Sequence, residues 1–203
     1  MADDRWWRGY DSLIVSAVGP GSRVLDIGCG DGGLVERLAS GGLDALGVDP
    51  DAPANPRLLQ QRVEAVAGIG PFDAACAIMS LHHADLEATL AAIGRLLDQA
   101  GLLFVYELAW ESYDDRAAAW LADHDLSGAD SSVPAWQREH ADLNTDAATR
   151  AALEDSFELR TDSSTPYLAR MLAMHELESE EQALIAEGSL PALGRWYVAA
   201  RAS

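Results

Sequence analysis

Apolar residues follow two alternating rhythms along the chain: short runs of strand length, and stripes three or four positions apart. Runs at 23–27 (RVLDI), 44–48 (DALGV), 72–79 (FDAACAIM) and 101–108 (GLLFVYEL) predict strands. The run at 72–79 is apolar enough to be covered on both faces, as in a parallel sheet. Between the runs, Leu34, Val35 and Leu38 predict a helix to about Ser40, ended by Gly41 and Gly42. Leu86, Leu90, Ile93, Leu96 and Leu97 give a second helix one apolar stripe. A short helical piece is expected near 58–62, with a third strand at 63–67. Residues 1–21 read as an amphipathic lead-in, with Leu13, Ile14 and Val18 on one stripe and Gly19, Pro20 and Gly21 closing it.

The rhythm breaks over 110–144, where helical pieces are expected at 112–123 and around 135–141. Thr145 then fits the N-cap of a helix to 154, followed by a strand at 157–161. One or two helices fall within 167–187, and a last strand at 195–200. There is no repeat and no linker. The pattern predicts one α/β domain over 1–203, a Rossmann-like doubly wound sheet, with 1–21 as an N-terminal cover and 110–144 as a helical insert over the substrate side.

Composition narrows the possible partners. The net charge of −19 repels phosphate backbones, so nucleic acid is not an expected partner. No run of about 18 uncharged apolar residues stands in the sequence, so no membrane span is expected. All 14 basic residues are arginine. Two cysteines, Cys29 and Cys76, lie in interior segments, and the N-terminus lacks the order of an export signal. A reducing cytoplasm is therefore the expected setting.

The stretch VLDIGCGDGG carries most of the chemistry. Glycines after a strand let the backbone turn tightly and approach a ligand, with a helix N-terminus beyond them. Gly28, Gly30 and Gly33 have dinucleotide spacing, but Asp26 stands two residues before the first. A carboxylate there opposes a pyrophosphate and favours a cationic ligand. Asp49, at the end of the next strand, suits the two hydroxyls of a ribose. S-Adenosylmethionine combines a ribose, an ammonium and a sulfonium without phosphate.

At these residues the chain resembles the class I S-adenosylmethionine-dependent methyltransferases. VLDIGCGDG is similar to their first motif, D/E-x-G-x-G-x-G, at Asp26, Gly28, Gly30 and Gly32, with Cys29 a small side chain inside the loop. GVDPD resembles their acidic loop, which implies Asp49 on the ribose and Pro50 beside the adenine. The segment from PFDAACAIMS to FVYE resembles their fourth strand, helix and fifth strand, and brings Met79 to the cofactor. The resemblance implies a seven-stranded, mostly parallel sheet of order 3-2-1-4-5-7-6, the cofactor S-adenosylmethionine, and methyl transfer to a small-molecule acceptor. One departure is plain: VEAVAGIGPFD lacks the aspartate that in many members takes the adenine amino group. Glu64 is the substitute in this chain, with a backbone contact from Ala65.

Methyl transfer needs a general base only where the nucleophile must lose a proton. His82 and His83 follow the fourth strand; either can act as base, or can pack and cap the next helix. Glu107 ends the fifth strand and either faces the site or pairs with an arginine. In the insert, His140 is a base, an anchor or a helix-terminal residue, and Arg138 pairs with an acceptor carboxylate or a surface acid. Trp110, Tyr113, Trp120 and Trp136 stack on an acceptor or form the insert's own core, and Trp6, Trp7 and Tyr10 cover the pocket mouth or pack on the sheet. No metal ligand set is expected. The alternative function is an S-adenosylmethionine-binding relative that transfers no methyl, through other chemistry or as a ligand sensor. A nicotinamide-dependent dehydrogenase is opposed by Asp26.

Overall fold

Strands that alternate with helices lie parallel when each helix crosses back over the sheet, and the two faces of every strand then feed separate cores. The computed structural model describes residues 4–125 and 127–201. One sheet contains β1 (Arg23–Ile27), β2 (Asp44–Val48), β3 (Leu58–Leu59), β4 (Phe72–Ile78), β5 (Leu97–Leu108), β6 (Phe157–Thr165) and β7 (Gly194–Arg201). Its order is β3-β2-β1-β4-β5-β7-β6, the order implied by the resemblance. β1 to β5 are parallel, and β7 runs antiparallel between β5 and β6.

Side chains alternate across this sheet. Val24, Cys76, Phe104 and Tyr106 point into one core, against Ile14 of α1 (Tyr10–Val18) and Leu34 and Leu38 of α2 (Gly33–Ser40). Leu25, Ala75, Val105 and Tyr197 point into the other, against Leu90 and Ile93 of α3 (Leu86–Leu96) and Leu153. The insert folds as α4 (Asp115–His124) and α5 (Val133–His140), and its Tyr113, Trp120 and Trp136 join the first core. The expected cap is in place at α6 (Asp146–Ser156), where the Thr145 hydroxyl accepts from the Ala148 N–H at 3.1 Å. α7 (Leu168–Met171) and α8 (Glu178–Ala186) precede β7. No helix among the described residues is long and apolar enough to cross a membrane.

One expectation is corrected. The third strand is Leu58–Leu59, not 63–67, and 58–62 is not helical. Val63–Ala65 is a single 3₁₀ turn, in which the Ala65 and Val66 N–H groups donate to Arg62 O and Val63 O, both at 3.0 Å. Val63 and Val66, three apart, are both buried, which is the spacing of that turn and not of a strand. Leu58 pairs instead with Gly47, and a Cβ on Gly47 would stand 2.8 Å from its Cδ2. β5 and β6 are also longer than their apolar runs, each with a register shift along its pairing.

Candidate active site

β1 lies between β2 and β4 and therefore at the point where the winding of the sheet reverses, so a crevice opens at its carboxyl end. There the chain turns through Gly28, Gly30 and Gly32, with φ of 72°, 52° and 87°, which L side chains rarely adopt. A Cβ on Gly28 would come within 2.5 Å of Ser80 Cβ, so only glycine allows this loop to meet the one after β4. Asp49 pins the loop: Oδ2 accepts from the Gly30 N–H at 3.1 Å and Oδ1 from the Asp51 N–H at 2.8 Å.

Two spaces make up the crevice. One, of about 350 Å³, is lined by Gly28, Val48, Asp49, Pro50, Glu64 and Met79 among others. The second, of about 230 Å³, is lined by Trp6, Trp7, Asp26, Gly30 and Met79 among others. Gly28 and Met79 border both, so the two spaces flank the tip of β1. Met79 has φ 53°, a left-handed conformation unusual for its side chain, and its N–H donates to Tyr106 O at 2.8 Å.

Asp26 is almost fully buried, and Oδ1 lies 3.5 Å from the Cys76 thiol, its hydrogen-bond donor. Burial pushes the carboxyl up to about 7; the Asp49 charge adds to this and the thiol opposes it. A fixed cation at this end of the groove would restore the carboxylate. Cys29 is a packing group: burial, then the charges of Asp26 and Asp49, push its thiol up to about 12, and a Cβ on Gly47 would lie 2.6 Å from its Sγ.

At the other end, Glu64 Oε1 accepts from the Thr89 hydroxyl at 2.7 Å. Burial opposes ionisation of Glu64, but the Thr89 hydrogen bond, with help from Arg62, outweighs it and holds the carboxyl below its ordinary value. Its Oε2 is buried without a hydrogen bond, 3.5 Å from Arg62 Nε. Ala65 departs from expectation: its N–H is engaged by Arg62 O within the turn, and it does not line the groove.

Glu107, at the end of β5, is 1% exposed and organises the turn after β4. Oε1 accepts from the Ser80 and Leu81 N–H groups at 2.7 and 2.5 Å, and Oε2 lies 2.6 Å from His82 Nδ1. With the proton on Nδ1 this fixes the tautomer and leaves Nε2 as the acceptor. His83 stacks obliquely on His82 at 4.3 Å and lines the larger of the two spaces; burial lowers its pKa. His140 is placed elsewhere, with its ring on Trp136 at 4.1 Å and Nδ1 bonded to Trp136 O at 2.9 Å. Arg138 is exposed on α5.

A family model described as a methyltransferase domain matches residues 10–145. The chain belongs to that family. Its sheet is that of the class I members, and its cofactor is S-adenosylmethionine. This methyltransferase domain is 36% identical over 116 residues to a ubiquinone biosynthesis O-methyltransferase of Azorhizobium caulinodans, covering 49% of this chain and 45% of that protein. It is 34% identical over 110 residues to an uncharacterized methyltransferase of Mycobacterium bovis, covering 47% and 56%. The chain thus spans about half the length of the curated relatives it matches. In fold it is similar to the 1,6-didemethyltoxoflavin-N1-methyltransferase of Burkholderia thailandensis, solved with 1,6-didemethyltoxoflavin and S-adenosylhomocysteine. That likeness has 17% identity and a TM-score of 0.64, covering 100% of this chain and 80% of that one.

The methyltransferase groove fits its cofactor on observations internal to the fold. It offers a buried acid at one end, a pinned acid in the middle and an unbonded buried carboxylate oxygen at the other. Sequence reasoning reached the acids but missed three supports. Cys76 meets Asp26 through the β1–β4 register, which no local pattern reports. Thr89 orients Glu64 from α3. Asn144 ties the insert to the turn after β4: its N–H donates to His82 O at 2.8 Å, and Nδ2 donates to Leu81 O and Ala84 O at 2.9 and 2.8 Å.

Proposed function

We propose that this domain transfers the methyl group of S-adenosylmethionine to an oxygen or nitrogen of a small-molecule acceptor, with His82 as the base and Glu107 as its orienting partner. Asp26 holds the cofactor's ammonium, Asp49 the ribose hydroxyls, and Glu64 Oε2 the adenine amino group. When bound, the cofactor supplies an electrophilic methyl carbon on a good leaving group, so proximity and alignment carry much of the rate. His82 takes the acceptor's proton at Nε2 while Glu107 Oε2 stabilises the imidazolium through Nδ1. The observation that carries this reading is the buried Glu107 carboxylate shared by two backbone N–H groups and the His82 ring. The relatives named for O-methylation and for N1-methylation support an acceptor that loses a proton on transfer. The net charge of −19 supports a small acceptor over nucleic acid.

The test is a panel of catechols, quinols and heterocyclic amines incubated with labelled S-adenosylmethionine, with S-adenosylhomocysteine measured. Acceptor-dependent product is expected. In Glu107→Gln the carbonyl oxygen still accepts from Ser80 and Leu81, but the amide N–H₂ meets His82 Nδ1 and moves the ring proton to Nε2. Turnover should fall about 10²- to 10⁴-fold with cofactor affinity retained. Tight cofactor binding with no product across the panel would favour the ligand-sensing alternative, and full activity in Glu107→Gln would remove His82 from the mechanism.

A further inference from the structure

The N-terminal segment 5–8 crosses the methionine end of the groove, where Trp6 and Trp7 stand with Asp26 and Met79 around a space of about 230 Å³. It belongs to no helix or strand; Trp7 O accepts from the Tyr10 and Asp11 N–H groups at 3.0 and 3.2 Å at the start of α1, and side chains from elsewhere hold the carbonyls on either side. The principal one is Arg170, at 7% exposure one of the few buried charged residues. Its Nη1 donates to the carbonyls of Arg5 and Arg8 at 3.1 and 3.0 Å, and Nη2 pairs with Glu178 Oε2 at 2.8 Å. The guanidinium lies 4.8 Å over the Tyr10 ring and 5.7 Å from that of Tyr106. Arg5 returns a bond to Met171 O at 3.1 Å, and Trp6 stacks on Tyr167 at 5.3 Å.

The anchor is itself rigid. Glu181, fully buried on α8, accepts from the Tyr167 and Leu168 N–H groups through Oε1 and from the Ala169 N–H through Oε2, at 2.8 to 2.9 Å. This fixes the start of α7, and hence both Tyr167 and Arg170. Taking a guanidinium out of water has a cost that is offset only where its donors are well placed. Here two of those bonds go to carbonyls of a terminal segment that the sheet does not need.

We propose that Arg170 is a positioning residue that fastens Trp6 and Trp7 as a roof over the methionine end of the groove, and so sets how long S-adenosylmethionine and S-adenosylhomocysteine stay bound. This rests on the reading of the groove as the cofactor site. The roof touches only the amino-acid end, so its loss should separate two ligands that share an adenosine.

The experiment compares wild type, Arg170→Met, Arg170→Lys and the double variant Trp6→Ala/Trp7→Ala. It measures S-adenosylhomocysteine dissociation by stopped flow, adenosine affinity by calorimetry, and amide exchange over residues 5–10. Arg170→Met and the double variant should release S-adenosylhomocysteine roughly tenfold faster, the loss expected for one good contact in the bound state. Adenosine affinity should stay at the wild-type value, amide exchange over 5–10 should rise in Arg170→Met, and Arg170→Lys should fall between, since an ammonium cannot reproduce the planar fork. Wild-type release rates in the variants, or an equal loss for adenosine, would overturn the proposal. Should Arg170→Met not fold, Arg170→Lys decides the fastening and the double variant decides the roof. A wild-type protein that binds adenosine but gains nothing from the methionine moiety also overturns it, whereas one that binds neither ligand overturns the cofactor reading beneath it.

Discussion

Asp26 couples the chemistry of one residue to both folding and binding. Its carboxyl rises from 3.8 to about 7 on folding, chiefly through burial. A group raised in the folded state contributes stability that is fully present below 3.8 and is lost as pH rises to about 7. Asp26→Asn cannot ionise, so in the ligand-free protein it should be more stable than wild type at pH 8, by on the order of 2–4 kcal/mol. The advantage should shrink as pH falls and vanish near pH 4, which urea denaturation across that range would check. Binding carries the opposite sign. On the proposed reading the cofactor's ammonium selects the carboxylate, so wild-type affinity should weaken below pH 7, approaching about tenfold per pH unit. Asp26→Asn should bind weakly at every pH, with a flat calorimetric profile. A wild-type profile as flat as the variant's would show that Asp26 does not meet a cation.

Between elements, the decisive contacts are those that a linear reading cannot see. The glycine loop and Asp49 were legible because their chemistry is local: a strand, a turn that only glycine permits, and an acid at the next strand tip. The sheet order followed from resemblance, and the cap at Thr145 from residue type. The stretch 63–67 misled because two valines and two alanines around Glu64 suggest a strand, whereas β3 forms where Leu58 packs over Gly47, a contact that requires knowing which strands pair. Of the readings given to His140, the helix-terminal one matches its place at the end of α5, with its ring on Trp136. Asn144 illustrates the same limit and supplies a test. Its amide closes the insert onto two carbonyls of the turn that bears His82, at 2.9 and 2.8 Å. Asn144→Ala leaves those carbonyls unpaired and should lower stability by about 1–2 kcal/mol. Asn144→Asp turns a donor into an anion against them and should be worse, by a further ~1 kcal/mol or more. Thermal melts would show that order; equal effects would mean that the insert is held elsewhere.

For the whole molecule the dominant quantity is charge. Fourteen arginines face 33 acids, so carboxylates far outnumber the cationic groups available to them. The pairs that do form include Arg8 with Asp4, Arg116 with Asp114 and Arg150 with Glu154, all on half-exposed side chains where an ion pair contributes little. Added salt screens attractions and repulsions alike, and with this excess the repulsions are the larger sum. At about 0.01 M salt the screening length is roughly 30 Å, comparable to a domain, and at about 0.1 M it is roughly 10 Å. Raising sodium chloride from the first to the second should therefore stabilise the fold, by roughly 1 kcal/mol or about 2–4 °C in melting temperature. A fold held by its surface pairs would move the other way. The same field acts on the acceptor. Anionic acceptors should show kcat/KM that rises with salt, neutral ones no change, and cationic ones a decline, because only the encounter is being screened. A melting temperature that falls with salt would mean that the surface pairs outweigh the repulsions, and one indifferent to salt, together with acceptor rates indifferent to it, would mean that the acids sit too far apart to act as one field.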